Sequence, residues 1–136
     1  ETLSLHGCQK LSKASALQDC SKLRSLDFSW CAKLSSMEGL GSCPRLQMIS
    51  LTECNRLHHV RGLGGCPALA TLYLSWCEQL EDISGLAGCA SLKTLQLTGC
   101  ARLQGLTGLS GCAGLQILNL SKVPRIDDLS ELANCV

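Results

Sequence analysis

Leu23-Arg24-Ser25-Leu26-Asp27-Phe28-Ser29-Trp30-Cys31-Ala32-Lys33-Leu34 carries apolar residues at its first, fourth, sixth, ninth and twelfth places. The same spacing returns 23 residues later as Leu46, Ile49, Leu51, Cys54 and Leu57, and again as Leu69, Leu72, Leu74, Cys77 and Leu80. With position 1 of each unit set at Leu3, Leu26, Ile49, Leu72, Leu95 and Leu118, the register holds along the whole chain. Position 3 is Leu5, Phe28, Leu51, Leu74, Leu97 and Leu120; position 15 is Leu17, Leu40, Leu63, Leu86, Leu109 and Leu132. A unit this short cannot bury its apolar side alone, so six in series predict a solenoid in which each coil covers the next. One domain is expected over 1–136, with units 3–25, 26–48, 49–71, 72–94, 95–117 and 118–136.

Cysteine follows the same register. Position 6 is Cys8, Cys31, Cys54, Cys77, Cys100 and then Val123, while position 18 is Cys20, Cys43, Cys66, Cys89, Cys112 and Cys135. Eleven cysteines in 136 residues ordinarily suggest disulfides or metal sites, but these fall only at core positions and form no C-x-x-C pair. They are expected to act as small buried hydrophobes with weak donors. Keeping that many thiols free favours a reducing, intracellular compartment, the cytoplasm first.

Within a unit, positions 1 and 3 alternate with polar residues, as in Leu72-Tyr73-Leu74-Ser75, which is the pattern of a short half-buried strand. Strands in register form a parallel sheet. The second half carries apolar residues three apart, glycine at Gly39, Gly62, Gly85 and Gly108, and candidate caps at Ser84, Thr107 and Ser130. That spacing suits a 3₁₀ turn or a very short helix rather than a long α-helix.

The pattern L-x-x-L-x-L-x-x-C-x-x-L, repeated over essentially all 136 residues, closely resembles the leucine-rich repeat family. The two cysteines per unit resemble the subclass known from F-box-type proteins, and the unit endings are similar to repeats of kinetoplastid and plant immune-receptor proteins. The resemblance implies an α/β-type repeat solenoid, a horseshoe or spiral with parallel strands on the concave face and short 3₁₀ or α turns on the convex one. It also implies a role in holding another macromolecule. Two alternatives are a passive component of a large intracellular assembly and the substrate-recognition repeats of a ubiquitin-ligase-type receptor, which needs an F-box or similar segment besides.

Twelve Lys and Arg against eleven Asp and Glu leave almost no net charge, so bulk electrostatics points to neither nucleic acid nor an anionic membrane. No apolar run approaches the roughly 18 residues of a membrane span, so no membrane insertion is expected. No cofactor or metal is expected either: His58-His59 has no third ligand at metal spacing, and the glycines follow the repeat rather than a phosphate-binding pattern. His6, Asp27 and Ser29 fall on neighbouring strands, but open strand positions offer no closed pocket, and no enzymatic activity is expected. The chain starts inside a strand-like segment and stops before its sixth unit is complete, so flanking repeats or capping segments of the same chain are expected to cover the ends.

Function is expected where large residues interrupt an otherwise small, hydroxyl-rich strand surface. Trp30 and Trp76 hold position 5 with Glu53 between them, and Asp27, Met48 and Tyr73 lie on adjacent strand positions. Trp and Tyr are the usual anchors of protein interfaces, so these six residues are the candidate site for a protein partner. The competing expectation is that each indole folds down over the strand-end loop. Position 8 reads Lys10, Lys33, Arg56, Gln79, Arg102 and Arg125, a basic edge able to steer an acidic partner or to serve simply as a solvated loop face.

Overall fold

In a computed structural model that describes residues 1–135, six three-residue strands mark the six units: β1 (Thr2–Ser4), β2 (Ser25–Asp27), β3 (Met48–Ser50), β4 (Thr71–Tyr73), β5 (Thr94–Gln96) and β6 (Ile117–Asn119). Val136, the last residue of the expected domain, lies outside the described residues. The strands form one open parallel sheet in chain order, and every strand residue sits opposite its equivalent 23 residues on, as Leu26 opposite Ile49 and Ile49 opposite Leu72. Equivalent side chains therefore stack into columns. Positions 1, 3, 6, 9, 12, 15, 18 and 21 of the central units are buried and form one continuous core from Ala14 to Val123.

The return half of the coil contains 3₁₀ turns at Ser15–Leu17, Leu40–Ser42, Ser84–Leu86, Leu109–Gly111 and Ser130–Leu132, and no α-helix occurs among the described residues. The expected caps need correcting. Ser84 and Ser130 are the first residues of their turns, and their N–H groups donate to Asp82 Oδ1 and Asp128 Oδ1, both at 2.8 Å. The carboxylate two residues upstream does the capping, in the side-chain turn by which an aspartate accepts the N–H two residues on.

Neighbouring coils are also joined away from the sheet. Ser35 N–H donates to the Ser12 carbonyl (3.1 Å), Glu81 N–H to that of His58 (2.9 Å) and Gln104 N–H to that of Glu81 (3.2 Å). On the 3₁₀ side, a Cβ placed on Gly62 lies 2.5 Å from the Met37 carbonyl oxygen, and one on Gly85 lies 2.6 Å from that of Val60. Backbone there rests directly on backbone. Thin turns in direct contact keep the coil spacing near that of the strands, whereas a helix about 10 Å across would fan the coils apart.

Each buried cysteine ties its coil to the one before. The position 3 carbonyl accepts the N–H of its own unit's cysteine, closing the strand-end turn, and the S–H of the next unit's cysteine. Phe28 O accepts Cys31 N–H (3.0 Å) and Cys54 Sγ (3.2 Å); Leu51 O accepts Cys54 N–H (3.1 Å) and Cys77 Sγ (3.0 Å). The second column repeats the device: Leu40 O takes Cys43 N–H (2.9 Å) and Cys66 Sγ (3.2 Å). All eleven thiols are free, as their register led one to expect. Removing a buried donor of this kind leaves a carbonyl short of a partner and a small void, so Cys54→Ala should lower the unfolding free energy by about 1–2 kcal/mol. Cys8→Ala, at the exposed end of the same column, should change it by less than about 0.5 kcal/mol in urea titration.

Burial pushes the Cys66 thiol up to about 11 and those of Cys54, Cys89 and Cys100 up to about 12, from an ordinary 9.0. Between those values the unfolded chain binds fewer protons than the folded one, so stability falls as pH rises. The contribution is complete below pH 9 and is lost progressively toward pH 12. Thermal melts should accordingly show a Tm that drops steeply above pH 9, with the slope reduced in a Cys54→Ala, Cys100→Ala double variant. A Tm that stays level through this range would contradict the buried, protonated columns.

Candidate functional site

The strand ends are built by one repeated turn. Residues 3 to 6 of each unit close with a hydrogen bond from position 6 N–H to the position 3 carbonyl, as Cys31 to Phe28 at 3.0 Å and Cys77 to Leu74 at 3.2 Å. The third residue of that turn, position 5, also donates its N–H across to the next coil: Trp30 to the Thr52 carbonyl at 2.8 Å, Trp76 to that of Thr98 at 2.7 Å. The turn carries a positive φ at this position in every unit, including the last, where Lys122 has no following coil to bond. Gly7 (70°), Trp30 (64°), Glu53 (62°), Trp76 (63°), Gly99 (76°) and Lys122 (59°) all lie in the left-handed region. Such a turn ordinarily takes glycine or asparagine at this place, and a residue with a Cβ pays about 1–2 kcal/mol to occupy it. The alignment of Trp30, Glu53 and Trp76 with Gly7 and Gly99 was the sequence signal for this strain, and it went unread at the sequence level.

The structure places the six candidate residues on one face of three adjacent coils. Asp27, Ser50 and Tyr73 occupy a single row across β2, β3 and β4, with Met48 on β3 between Ser25 and Thr71 in the row below. Trp30, Glu53 and Trp76 make the row at the strand ends. Ser29, Thr52 and Ser75 lie between the rows, and Ser29 Oγ sits 2.7 Å from Ser50 Oγ. The result is a low hydroxyl floor with large groups around it, about 10 Å across three strands. Trp30 is 51% exposed, Met48 41%, and Tyr73 and Trp76 37% each.

The two indoles behave differently. A Cβ on Gly99 lies 2.5 Å from Trp76 Cε3, so the Trp76 ring lies flat across that buried glycine, with Lys122 Nζ 4.9 Å from its centroid. The fold-down expectation describes Trp76. Trp30 has Glu53 where Trp76 has Gly99, and its ring stands further out in solvent. The Trp30 carbonyl is held by Gln9 Nε2 at 2.9 Å, and Glu53 accepts one long hydrogen bond, from Asn55 Nδ2 at 3.4 Å.

Asp27 Oδ1 accepts the Ser29 N–H at 2.8 Å, and Asp27 Oδ2 lies 3.8 Å from His6 Nδ1. Partial burial acts to raise the Asp27 carboxyl, but the hydrogen bonds from Ser29 and the charge of His6 outweigh it and hold the group below the usual carboxylate range. His6, Asp27 and Ser29 do meet, in the order Ser-Asp-His. The imidazole contacts the carboxylate, and the Ser29 hydroxyl pairs with that of Ser50, so the three do not form the serine-histidine-aspartate relay.

The position 8 row runs along an exposed edge past the turn. Lys10, Lys33, Arg56 and Arg125 point into solvent, whereas Arg102 is engaged: its guanidinium lies 2.6 Å from Glu81 Oε1 and donates to Gln79 Oε1 at 2.8 Å. His59 sits in a coil-to-coil bridge with Asp82, and no group of three metal-ligating side chains occurs among the described residues. No helix among them is long and apolar enough to cross a membrane.

No protein-family model matches the sequence, and no curated protein does. Solved structures do. Internalin C2 from Listeria monocytogenes aligns over 99% of this chain and 76% of its own length, with 20% identity and a TM-score of 0.59. The leucine-rich repeat domain of the type III effector XopL aligns over 78% of this chain with 26% identity and a TM-score of 0.62, and the chain spans 37% of that domain's length. In its 23-residue register, its open parallel sheet and its short 3₁₀ returns, the chain is a leucine-rich-repeat solenoid.

Proposed function

We propose that this chain is a non-catalytic protein-binding module that engages its partner through Asp27, Trp30, Met48, Glu53, Tyr73 and Trp76. One observation carries the reading: of six large hydrophobic side chains exposed among the described residues, four (Trp30, Met48, Tyr73, Trp76) gather on one face of three consecutive coils. Aromatic and methionine side chains around a small polar floor are the composition of an interface centre. The partner is a protein, held without cofactor or chemistry. The buried, protonated thiols suit a reducing compartment, where nothing drives them toward crosslinking.

Three of these residues hold left-handed backbone that glycine occupies freely in the first and fifth units. A substitution to glycine therefore removes the side chain and relaxes the turn at once. Trp30→Gly should be more stable than Trp30→Ala by about 1 kcal/mol in denaturant unfolding, the reverse of the order expected in a helix or strand. The opposite order would mean that the turn is not held as described.

Binding is then tested with variants that keep the fold. A Trp30→Gly, Trp76→Gly double variant should lose at least tenfold of partner affinity, while Lys33→Gln with Arg56→Gln should change it by less than about threefold. Proximity labelling with the intact chain supplies the partners, and titration calorimetry measures both variants. Loss of affinity in the basic-edge variant alone would move the site to the position 8 row.

A further inference from the structure

We infer that the gap between Trp30 and Trp76 is a seat for a cationic side chain of the partner, an arginine or lysine presented by a protein loop, with Glu53 as its counter-charge. The inference rests on the strand face being the binding surface and names what that surface selects.

Charge is the first ground. Residues 25–30, 48–53 and 71–76, the strand and turn segments of the three central coils, contain Asp27 and Glu53 and no Lys, Arg or His. The chain as a whole is nearly neutral. His6 reaches Asp27 from the coil before and Lys122 covers Trp76 from two coils after, which leaves Glu53 as the carboxylate of this face with no cationic partner among the described residues.

The fold supplies a worked instance in the same column. Trp76 lies across Gly99 and receives the Lys122 ammonium over its ring, 4.9 Å from the centroid, the geometry of a cation–π contact. Trp, small residue and cation occupy position 5 of units four, five and six. Two units earlier in the same column, units two, three and four read Trp30, Glu53 and Trp76, and no cation of the described residues lies over the Trp30 ring. A carboxylate stands where the glycine was. Its single hydrogen bond, from Asn55 at 3.4 Å, leaves most of its acceptor capacity open, and the exposed face of Trp30 beside it is unoccupied within the chain. A guanidinium entering here meets an anion and an aromatic face together, the pairing that planar, weakly hydrated arginine uses well.

Backbone geometry is the independent ground. Glu53 and Trp30 both hold left-handed turns in which glycine is unstrained, and neither side chain is required by the core. Strain borne by an exposed Trp30 and a half-buried Glu53 that the core does not require points to a role for those side chains.

The test uses isotope-labelled chain and glycine-serine heptapeptides with one central arginine, lysine, citrulline or glutamate. Indole N–H resonances of Trp30 and Trp76 report binding. The arginine and lysine peptides should shift Trp30 with an affinity at least fivefold above citrulline, weakening as salt is added. Glu53→Gln should reduce that affinity about fivefold to tenfold with the fold intact by circular dichroism, and Trp30→Gly, followed by the backbone amide resonances of Thr52 and Glu53, should abolish it. Lys122→Gln, which uncovers the Trp76 ring, should make Trp76 respond as Trp30 does. Citrulline or glutamate peptides shifting Trp30 as strongly as arginine, or an unchanged affinity in Glu53→Gln, would overturn the cationic seat while leaving the face as a binding surface. An absence of strand-face response to every peptide would overturn both.

Discussion

Four of the six position 3 carbonyls, those of Leu5, Phe28, Leu51 and Leu74, are shared between two donors, the amide that closes the carbonyl's own turn and the thiol that arrives from the next coil. The coils are tied along the axis through that sharing. The amide bond closes the strand-end turn, and the S–H bond adds a link to the coil before, beside the sheet pairing that sets the register. Cysteine meets both needs because it fits a core that leaves it no accessible surface and still offers a weak donor. A valine fills the volume and gives up the tie. The chain contains that case: Val123 closes its turn onto Leu120 at 3.2 Å with no thiol to bind back to Leu97.

Periodicity made the interior readable because every inward position recurs. Leucine at position 1 identified the strand, cysteine at positions 6 and 18 could be nothing but core once the leucines were placed, and three-residue spacing pointed to 3₁₀ turns. The parallel sheet followed from the register alone. What escaped was set by backbone hydrogen bonding rather than by apolar spacing. Ser84 and Ser130 suit a cap by residue type, but each is the first residue of its turn, and the oxygens that accept their N–H groups belong to Asp82 and Asp128 two residues earlier.

The candidate site was legible as a set of side chains but not as a set of backbones. Trp30, Glu53 and Trp76 stood out by size, in the same column as Gly7 and Gly99, and that shared column is the trace of a left-handed turn. Distances beyond one repeat were out of reach. Lys122 meets Trp76 from two coils away, and the contact depends on Gly99 letting the indole lie down between them. The basic edge illustrates the same limit: Arg102 belongs to the row by position, yet Glu81 and Gln79 claim its guanidinium.

A solenoid divides its residues more cleanly than a globular domain does. Inward positions answer to the coil before and the coil after, so one residue type fits all six units and departures cost stability. Outward strand positions answer to almost nothing, and serine or threonine suffices there. Position 5 belongs to neither class. Its backbone carries a positive φ in every unit, its preferred residue is glycine, and its side chain points away from the core. A large or charged group at such a place gains no packing in return for its strain, unless, as with Trp76 over Gly99, a neighbour makes room for it. Trp30 and Glu53 have no such neighbour within the chain. The column of strained turns is therefore where the repeat stops explaining the residues, and the explanation passes to whatever rests against them.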